Sequence, residues 1–387
     1  MARVALADCK MLLRDILVEI RVAPYLPANA SEVRAFNDRL CAQGQTEFLL
    51  PPEAPEQTPP GSQIRDSYFL ALEGTVVRGG FRLVRFPAWL GFGEEIEALN
   101  CREPLSEGII NPKYSFVALK LLKEMQKQGP YLFAMGMGGG QARFARFLKG
   151  AGWTVELVPF LFRVIRVGPF LSELRLLQSS RIKRMFSRAA RFTGVGKFGV
   201  SLLQAKSIIA GCRLRGATIE NVTEWGTWAD ELWEHFRQRC SFCVKRDRVT
   251  LMHLYQIGKD RTEAFLVRRE GKPVGWVAVL RSKMSGHKYF GNLQVATILD
   301  GIAYPDAMDA TVTLAARRLA ADGADLIVTN QQYAPWVRAF RNAGFLSAKS
   351  NYVLATSKAL SEAIARQPEG RERIHFTRGD GDGRIHL

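Results

Sequence analysis

Two stretches of this chain are one pattern written twice. Residues 326–345 read LIVTNQQYAPWVRAFRNAGF: an apolar run, a polar turn, then Trp336, Val337, Phe340 and Ala343 along one face of a short helix, closed by Gly344 and Phe345. Residues 134–153, AMGMGGGQARFARFLKGAGW, fall onto them at a constant shift of 192 positions. Arg146 then meets Arg338, Ala151 meets Ala343, Gly152 meets Gly344 and Trp153 meets Phe345. Ile110 with Ile302, Ala118 with Ala310 and Leu122 with Leu314 carry the register upstream without a gap. Shared residues together with a shared helix–strand–helix–strand order mark two divergent copies of one domain. A chain of 387 residues has the length for two or three domains.

In chain order, residues 17–23 read as a strand and 31–41 as a helix capped by Ser31, followed by a proline-rich loop at 51–61. Strands are expected at 68–72, 80–86 and 95–103, a helix at 114–128, and the strand and short helix of the repeat at 131–135 and 141–150. The second copy repeats the order, with strands at 218–222, 262–269, 273–280 and 289–303, and helices at 228–239 and 306–321. The expected fold class is therefore α/β, two tandem domains, each a mixed, mostly antiparallel sheet flanked by helices. The expected domains are 1–169 and 217–358, joined by a basic helical connector at 170–216 and followed by a flexible tail at 359–387.

The strand, short helix and Gly-aromatic ending at Gly152-Trp153 and Gly344-Phe345 resembles the last βα unit of the GNAT acyltransferase superfamily. Two such copies around an Arg-rich segment are similar to the Fem-type aminoacyl transferases and to acyltransferases of bacterial envelope polysaccharide assembly. The resemblance implies acyl or aminoacyl transfer to an amino or hydroxyl group of an envelope saccharide or lipid-linked precursor. It implies acyl-CoA or an aminoacyl-tRNA as donor and leaves the choice between them open. The alternative is a degenerate tandem GNAT-like protein that binds a ligand or partner without catalysis.

The sequence departs from the family at the places where its chemistry sits. A GNAT domain cradles the donor's pyrophosphate on a glycine loop that leads into the helix after strand four, where backbone N–H groups point at the phosphates. The glycine positions here are Tyr114 and Phe116 in the first copy, and Asp306 and Met308 in the second. The family's general-acid tyrosine is replaced by Leu148 and Phe340. The first copy retains Gly108, Asn111, Lys113 and Ser115 around the turn, and these are the candidate donor-binding residues. Among the acids Glu103, Glu107, Asp300 and Asp306, Glu107 is the candidate base for an amine nucleophile, while Tyr333 and Asn330 are placed to take over the acid's role. Taken singly, each acid reads as a solvated loop residue before it reads as a catalyst.

Charge and cysteines bound the remaining possibilities. Fifty-four Lys and Arg against 37 Asp and Glu give +17, which favours anionic surroundings. Residues 175–197 carry much of this charge on an amphipathic pattern, as a connector with a solvated basic face or as a contact for an anionic membrane surface. Nucleic acid other than a donor tRNA is not expected, because no recognisable module accompanies the charge. Six scattered cysteines do not form a disulfide framework, and Cys240 and Cys243 read as helix residues rather than metal ligands, so no metal site is expected. The first apolar stretch carries Asp8, Lys10, Arg14 and Asp15, unlike a signal peptide, and the apolar segment 157–171 is too short to span a bilayer. The expectation is a cytoplasmic protein that meets the inner membrane face through its basic segment.

Overall fold

A computed structural model describes residues 19–381 except 47, 57, 59–61, 92, 137, 139–141, 174–213, 215, 259–260, 288, 369 and 371. The basic stretch 175–197, and nearly all of the expected connector, lies outside the described residues. The chain forms two compact units, Met1–Phe86 with Leu99–Leu132, and Pro87–Ala98 with Phe133–Leu387.

The first unit contains strand β1 (Ile20–Pro24), helix α1 (Ala30–Ala42), strand β2 (Arg65–Glu73), most of β3 (Val76–Leu90) and β4 (Glu94–Ser106), and helix α2 (Val117–Lys127). Its strands lie in the order β1-β2-β3-β4, with β1, β2 and β3 antiparallel. Val33, Phe36 and Leu40 recur at helical spacing on α1 and pack on Leu70, Leu72, Val77 and Leu105. Each side chain removed from water in this way contributes about 2 kcal/mol.

The second unit begins in the first copy, with β5 (Leu132–Gly136), α3 (Arg143–Gly150), β6 (Thr154–Leu157), β7 (Phe160–Val164) and α4 (Val167–Glu173). The second copy supplies β8 (Ala217–Asn221), α5 (Trp228–Arg237), β9 (Phe242–Val244), α6 (Arg248–Leu254), β10 (Thr262–Arg269), β11 (Lys272–Lys283) and β12 (Gln294–Ala303). It continues through α7 (Met308–Ala321), β13 (Leu326–Asn330), α8 (Ala334–Asn342), β14 (Leu346–Ala348), β15 (Val353–Thr356), α9 (Lys358–Ala365) and β16 (Ile374–His375).

The repeat holds at the level of single hydrogen bonds. The Trp153 amide donates to the Leu148 carbonyl at 3.0 Å, and the Phe345 amide to the Phe340 carbonyl at 3.0 Å. Gly152 and Gly344 donate to Lys149 and Arg341, with φ of 85° and 82°. This is a Schellman ending written twice, and it requires a left-handed residue at the position that glycine fills. The correspondence continues past the expected boundaries, since α4 and α9 also fall at the 192-residue shift.

Each copy gives its last strand to the other. The seven-stranded sheet runs β14-β7-β13-β12-β11-β10-β8, so β7 of the first copy lies between β13 and β14 of the second. In return β15 lies between β5 and β6, antiparallel to both. Phe160 and Phe162 of β7 pack on the second copy's Val295, Leu326 and Val328. The exchange partly buries these rings and pairs strand edges that would otherwise remain open. It also explains why the compact units do not coincide with the copies.

Two sequence expectations are corrected here. Cys243 lies on β9 and Cys240 just after α5, so neither is a helix residue; β9 pairs with the Ala88–Leu90 end of β3 and with β16. The tail expected to be flexible at 359–387 is structured at its described residues up to 381. Residues 358–365 form α9, and Ile374, Phe376, Thr377 and Asp380 are buried. The Phe376 ring lies between Phe133, tilted at 4.8 Å, and Phe242, stacked at 5.0 Å, and this aromatic core holds the segment in place.

Candidate functional site

The second copy has the opening that its strand order calls for, and its own chain fills it. Strands β12 and β13 are parallel partners only through Val295↔Leu326, Ala296↔Ile327 and Thr297↔Val328. Opposite β11 the register of β12 then slips between Ile298 and Asp300, a bulge that bends the strand. The Thr329 hydroxyl donates to the Ile298 carbonyl at 2.8 Å as a further tie between the two strands. Beyond this point the tail enters. Thr377 forms an antiparallel bridge with Gln331 after β13, and the Gln332 amide donates to the Phe376 carbonyl at 2.9 Å. Toward β12, His375 Nε2 lies 3.2 Å from the Gly301 carbonyl. A Cβ on Gly379 would stand 2.1 Å from the Tyr255 hydroxyl, so only glycine lets the tail lie this close to Asp300.

A buried ionic cluster anchors the tail. Arg246 Nε donates to Asp300 Oδ2 at 2.6 Å and Nη2 to Asp380 Oδ1 at 2.6 Å, while Nη1 reaches the Val244 carbonyl at 2.9 Å. The Tyr255 hydroxyl donates to Asp300 Oδ2 at 2.7 Å, and the Gly301 amide to Asp300 Oδ1 at 2.8 Å. All of these side chains are buried. Burial pushes the Asp300 carboxyl up, but the Arg246 guanidinium, the His375 ring and the Tyr255 hydroxyl outweigh it and hold it below the ordinary value. Burial, reinforced by the Asp300 carboxylate, pushes Asp380 up. Burial lowers His375 to about 4, so the ring is neutral, with Nε2–H on Gly301 and Nδ1 without a partner among the described residues. Asp300 is therefore a saturated structural carboxylate, with both oxygens engaged, and not a solvated loop acid.

Tyr333 and Asn330 lie beside this tail. The Tyr333 ring meets Phe236 and His375 edge-on at 5.4 and 5.8 Å, and burial pushes its hydroxyl above the ordinary value. Asn330 Oδ1 accepts from Arg378 Nη1 at 3.1 Å.

The donor-turn candidates lie together in the first unit. Glu107 is buried and accepts from Arg78 Nη1 at 2.9 and 3.0 Å and from Arg39 Nε at 3.2 Å. Its carboxylate thus pins the turn to α1 and to β3, which corrects the reading of a solvated acid. Arg78 also lies 4.2 Å from the Tyr114 ring centroid, and the Tyr114 hydroxyl donates to Glu73 at 3.0 Å. Asn111 Oδ1 accepts from the Lys113 amide at 3.1 Å, and Ser115 Oγ donates to the Pro112 carbonyl at 2.7 Å, so both side chains shape the turn. Gly108 lets the turn fold onto Ser115, where a Cβ would come within 2.7 Å of its Cα. Lys113 and Ser115 are exposed at the rim, just ahead of the first residues of α2. The structure groups Glu107, Gly108, Asn111, Lys113 and Ser115 in one unit, and Tyr333 and Asn330 in the other.

The mutual contacts of Arg246, Tyr255, His375 and Asp380 were not read from the sequence. Their one local signal was the pair of apolar residues Ile374 and Phe376 within a charged tail.

Solved structures with similar chain traces include a tandem GNAT protein of the clavulanic acid pathway, at 11% identity and TM-score 0.46 over 88% of this chain and 99% of that one. Saccharomyces cerevisiae N-myristoyltransferase with bound myristoyl-CoA matches at 8% identity and TM-score 0.47, over 88% and 79%. A probable N-acyltransferase of Enterococcus faecalis matches at 10% identity and TM-score 0.49, over 90% and 75%. No family model and no curated protein sequence matches the chain. Its own strand order, with antiparallel strands followed by a diverging parallel pair in the second copy, and the Schellman helix ending found in both copies, is that of two mixed α/β copies in tandem. No helix among the described residues is long and apolar enough to cross a membrane.

Proposed function

We propose that this chain is an acyltransferase of GNAT type that binds its donor, acyl-CoA or an aminoacyl-tRNA, at the first copy. The acceptor is the amino or hydroxyl group of an envelope saccharide or a lipid-linked precursor. One observation carries the assignment to the first copy: in the second, the opening between β12 and β13 already holds residues 375–380 of the tail. A donor would have to displace a buried Arg246–Asp380 pair to enter there, at a cost of several kcal/mol. In the first copy, Lys113 and the amide end of α2 offer positive charge to a phosphate group. The acceptor class rests on the sequence resemblance.

A titration of the full chain with acetyl-CoA, longer acyl-CoAs and CoA alone tests the reading. Binding to the folded state raises the melting temperature by mass action. A flat response to all three removes the CoA-dependent form. A reading without catalysis is favoured by Leu148 and Phe340, which are both fully buried where the family places its proton donor. Donor binding without turnover of any amine or alcohol acceptor selects that reading.

A further inference from the structure

The outer face of α2, in the first unit, is built unlike a solvated helix face. Phe116, Leu119, Lys120, Lys123 and Lys127 recur at the period of one helical face, opposite the buried Val117, Leu121, Leu122 and Met125. The three lysines are exposed, and Leu119 is 47% exposed. Gly108 folds the preceding turn onto Ser115, which sets Ile109, 39% exposed, beside the start of the helix. The segment 108–123 carries Lys113, Lys120 and Lys123 and no acid. Lys127 meets Glu124 at 2.9 Å, a surface pair that leaves its side chain 71% exposed. Lys120 with Lys123, and Lys123 with Lys127, are like charges three and four residues apart, an arrangement that costs helix stability. Folding gains nothing from it, nor from aliphatic side chains left in water.

We infer that this face docks on an anionic phospholipid bilayer. The negative surface potential of such a bilayer attracts clustered lysines, and the four of this segment stand within one helix and the turn before it. Lysine stems lie along apolar surface while their ammonium groups stay among the headgroups, and Leu119 and Ile109 enter the boundary between headgroups and acyl chains. A nucleic-acid surface would instead present guanidinium forks to phosphates and open ring faces to bases. The segment 108–127 has no arginine, and the ring on its outer face, Phe116, is half-buried. This contact is separate from the basic stretch 175–197 and independent of acyl transfer. Where the donor binds at the Lys113 turn, docking holds that turn at the bilayer, beside a lipid-linked acceptor.

Flotation of the full chain with vesicles of phosphatidylglycerol and phosphatidylcholine in equal parts tests it, against vesicles of phosphatidylcholine alone. The chain is expected to float with the anionic vesicles, less as salt is added, and not with the neutral ones. Lys120→Glu, Lys123→Glu and Lys127→Glu combined are expected to weaken binding at least about tenfold. Lys272→Glu, Lys283→Glu and Lys349→Glu combined change the net charge equally at exposed positions of the larger unit, and are expected to weaken it by less than about threefold. Leu119→Ser is expected to weaken binding severalfold, whereas Val249→Ser, at a similarly exposed position on α6, leaves it unchanged. Every substituted side chain is exposed, so melting temperatures without vesicles stay in place. The inference is overturned if the parent chain ignores the anionic vesicles at low salt, or if the two triple reversals weaken binding equally. Binding to tRNA that is lost in the α2 reversal, with no binding to vesicles, overturns it in favour of nucleic acid.

Discussion

Arg246 Nε lies 2.6 Å from Asp300 Oδ2 with both side chains at 0% exposure. The pair joins the loop after β9 to the bulge of β12, and the same guanidinium reaches Asp380 of the tail. Removing the cation alone leaves two carboxyl groups buried without a counter-charge. Arg246→Met is therefore expected to cost about 3–5 kcal/mol in urea unfolding. Adding Asp300→Asn and Asp380→Asn to that variant is expected to recover part of the loss. A single substitution costing under about 1 kcal/mol, the level of a surface pair, shows that the cluster does not anchor the tail.

Stability should depend on pH through His375. Its folded value is about 4, against an ordinary 6.5, so the folded state favours the neutral ring. Above 6.5 the ring is neutral whether folded or unfolded, and its full contribution is present. As pH falls from 6.5 towards 4 only the unfolded chain takes up the proton, and stability drops by on the order of 3 kcal/mol. Asp380, whose folded value is raised, acts in the opposite direction as it protonates, and Asp300, whose value is lowered, loses its contribution only below the ordinary carboxylate range. The readout is therefore the parent chain against His375→Gln. The variant should lose the slope between pH 6.5 and 4, and identical slopes rule the assignment out.

Phe376→Ala is expected to cost about 3–5 kcal/mol, because the ring is fully buried between Phe133 and Phe242 and the site has little freedom to collapse. Limited proteolysis should then cleave the variant within 366–381 before any other described segment. Cleavage elsewhere first would show that the tail's core contacts are not its main restraint.

The repeat was legible because helix termination is local chemistry. Gly152 and Gly344 need a left-handed backbone whatever surrounds them, so they persist where the neighbours have diverged. The strand exchange was not legible. Phe160–Val164 and Val353–Thr356 have the apolar character of inner strands, and nothing in their residues says which sheet receives them. The buried cluster was hidden for a related reason. Arg246, Asp300 and Asp380 are far apart in sequence, and an acid whose partner is distant cannot be told from a solvated one by its neighbours. Glu107 shows the same limit: its place in the turn was legible, but its partners Arg39 and Arg78 come from α1 and β3.

Because the two helix endings match, the two glycines should respond alike. Gly152→Ala and Gly344→Ala are each expected to cost about 1–2 kcal/mol, the penalty of a left-handed alanine. At Gly152 no heavy atom lies within 4 Å of the added methyl group, so backbone strain is the whole effect there. Denaturant unfolding of each variant measures it, and a loss of several kcal/mol at Gly152 alone contradicts the equivalence.

The last prediction ranks the two copies as donor sites. Lys113 is exposed and contacts the Tyr114 ring at 5.6 Å, so reversing its charge should leave the fold intact. If phosphates of the donor lie at the amide end of α2, Lys113→Glu exchanges an attraction for a repulsion. Affinity for CoA should then fall at least about tenfold, and by less at high salt. Asp306 holds the matching turn of the second copy, where it pairs with Arg269 at 2.6 Å with its side chain 73% exposed. That pairing already offsets its charge, and the opening beside it is filled by the tail, so Asp306→Ala should leave CoA affinity unchanged. Both variants belong in the same binding titration as the parent chain. A loss at Asp306→Ala with none at Lys113→Glu would move the donor to the second copy and require the tail to leave it.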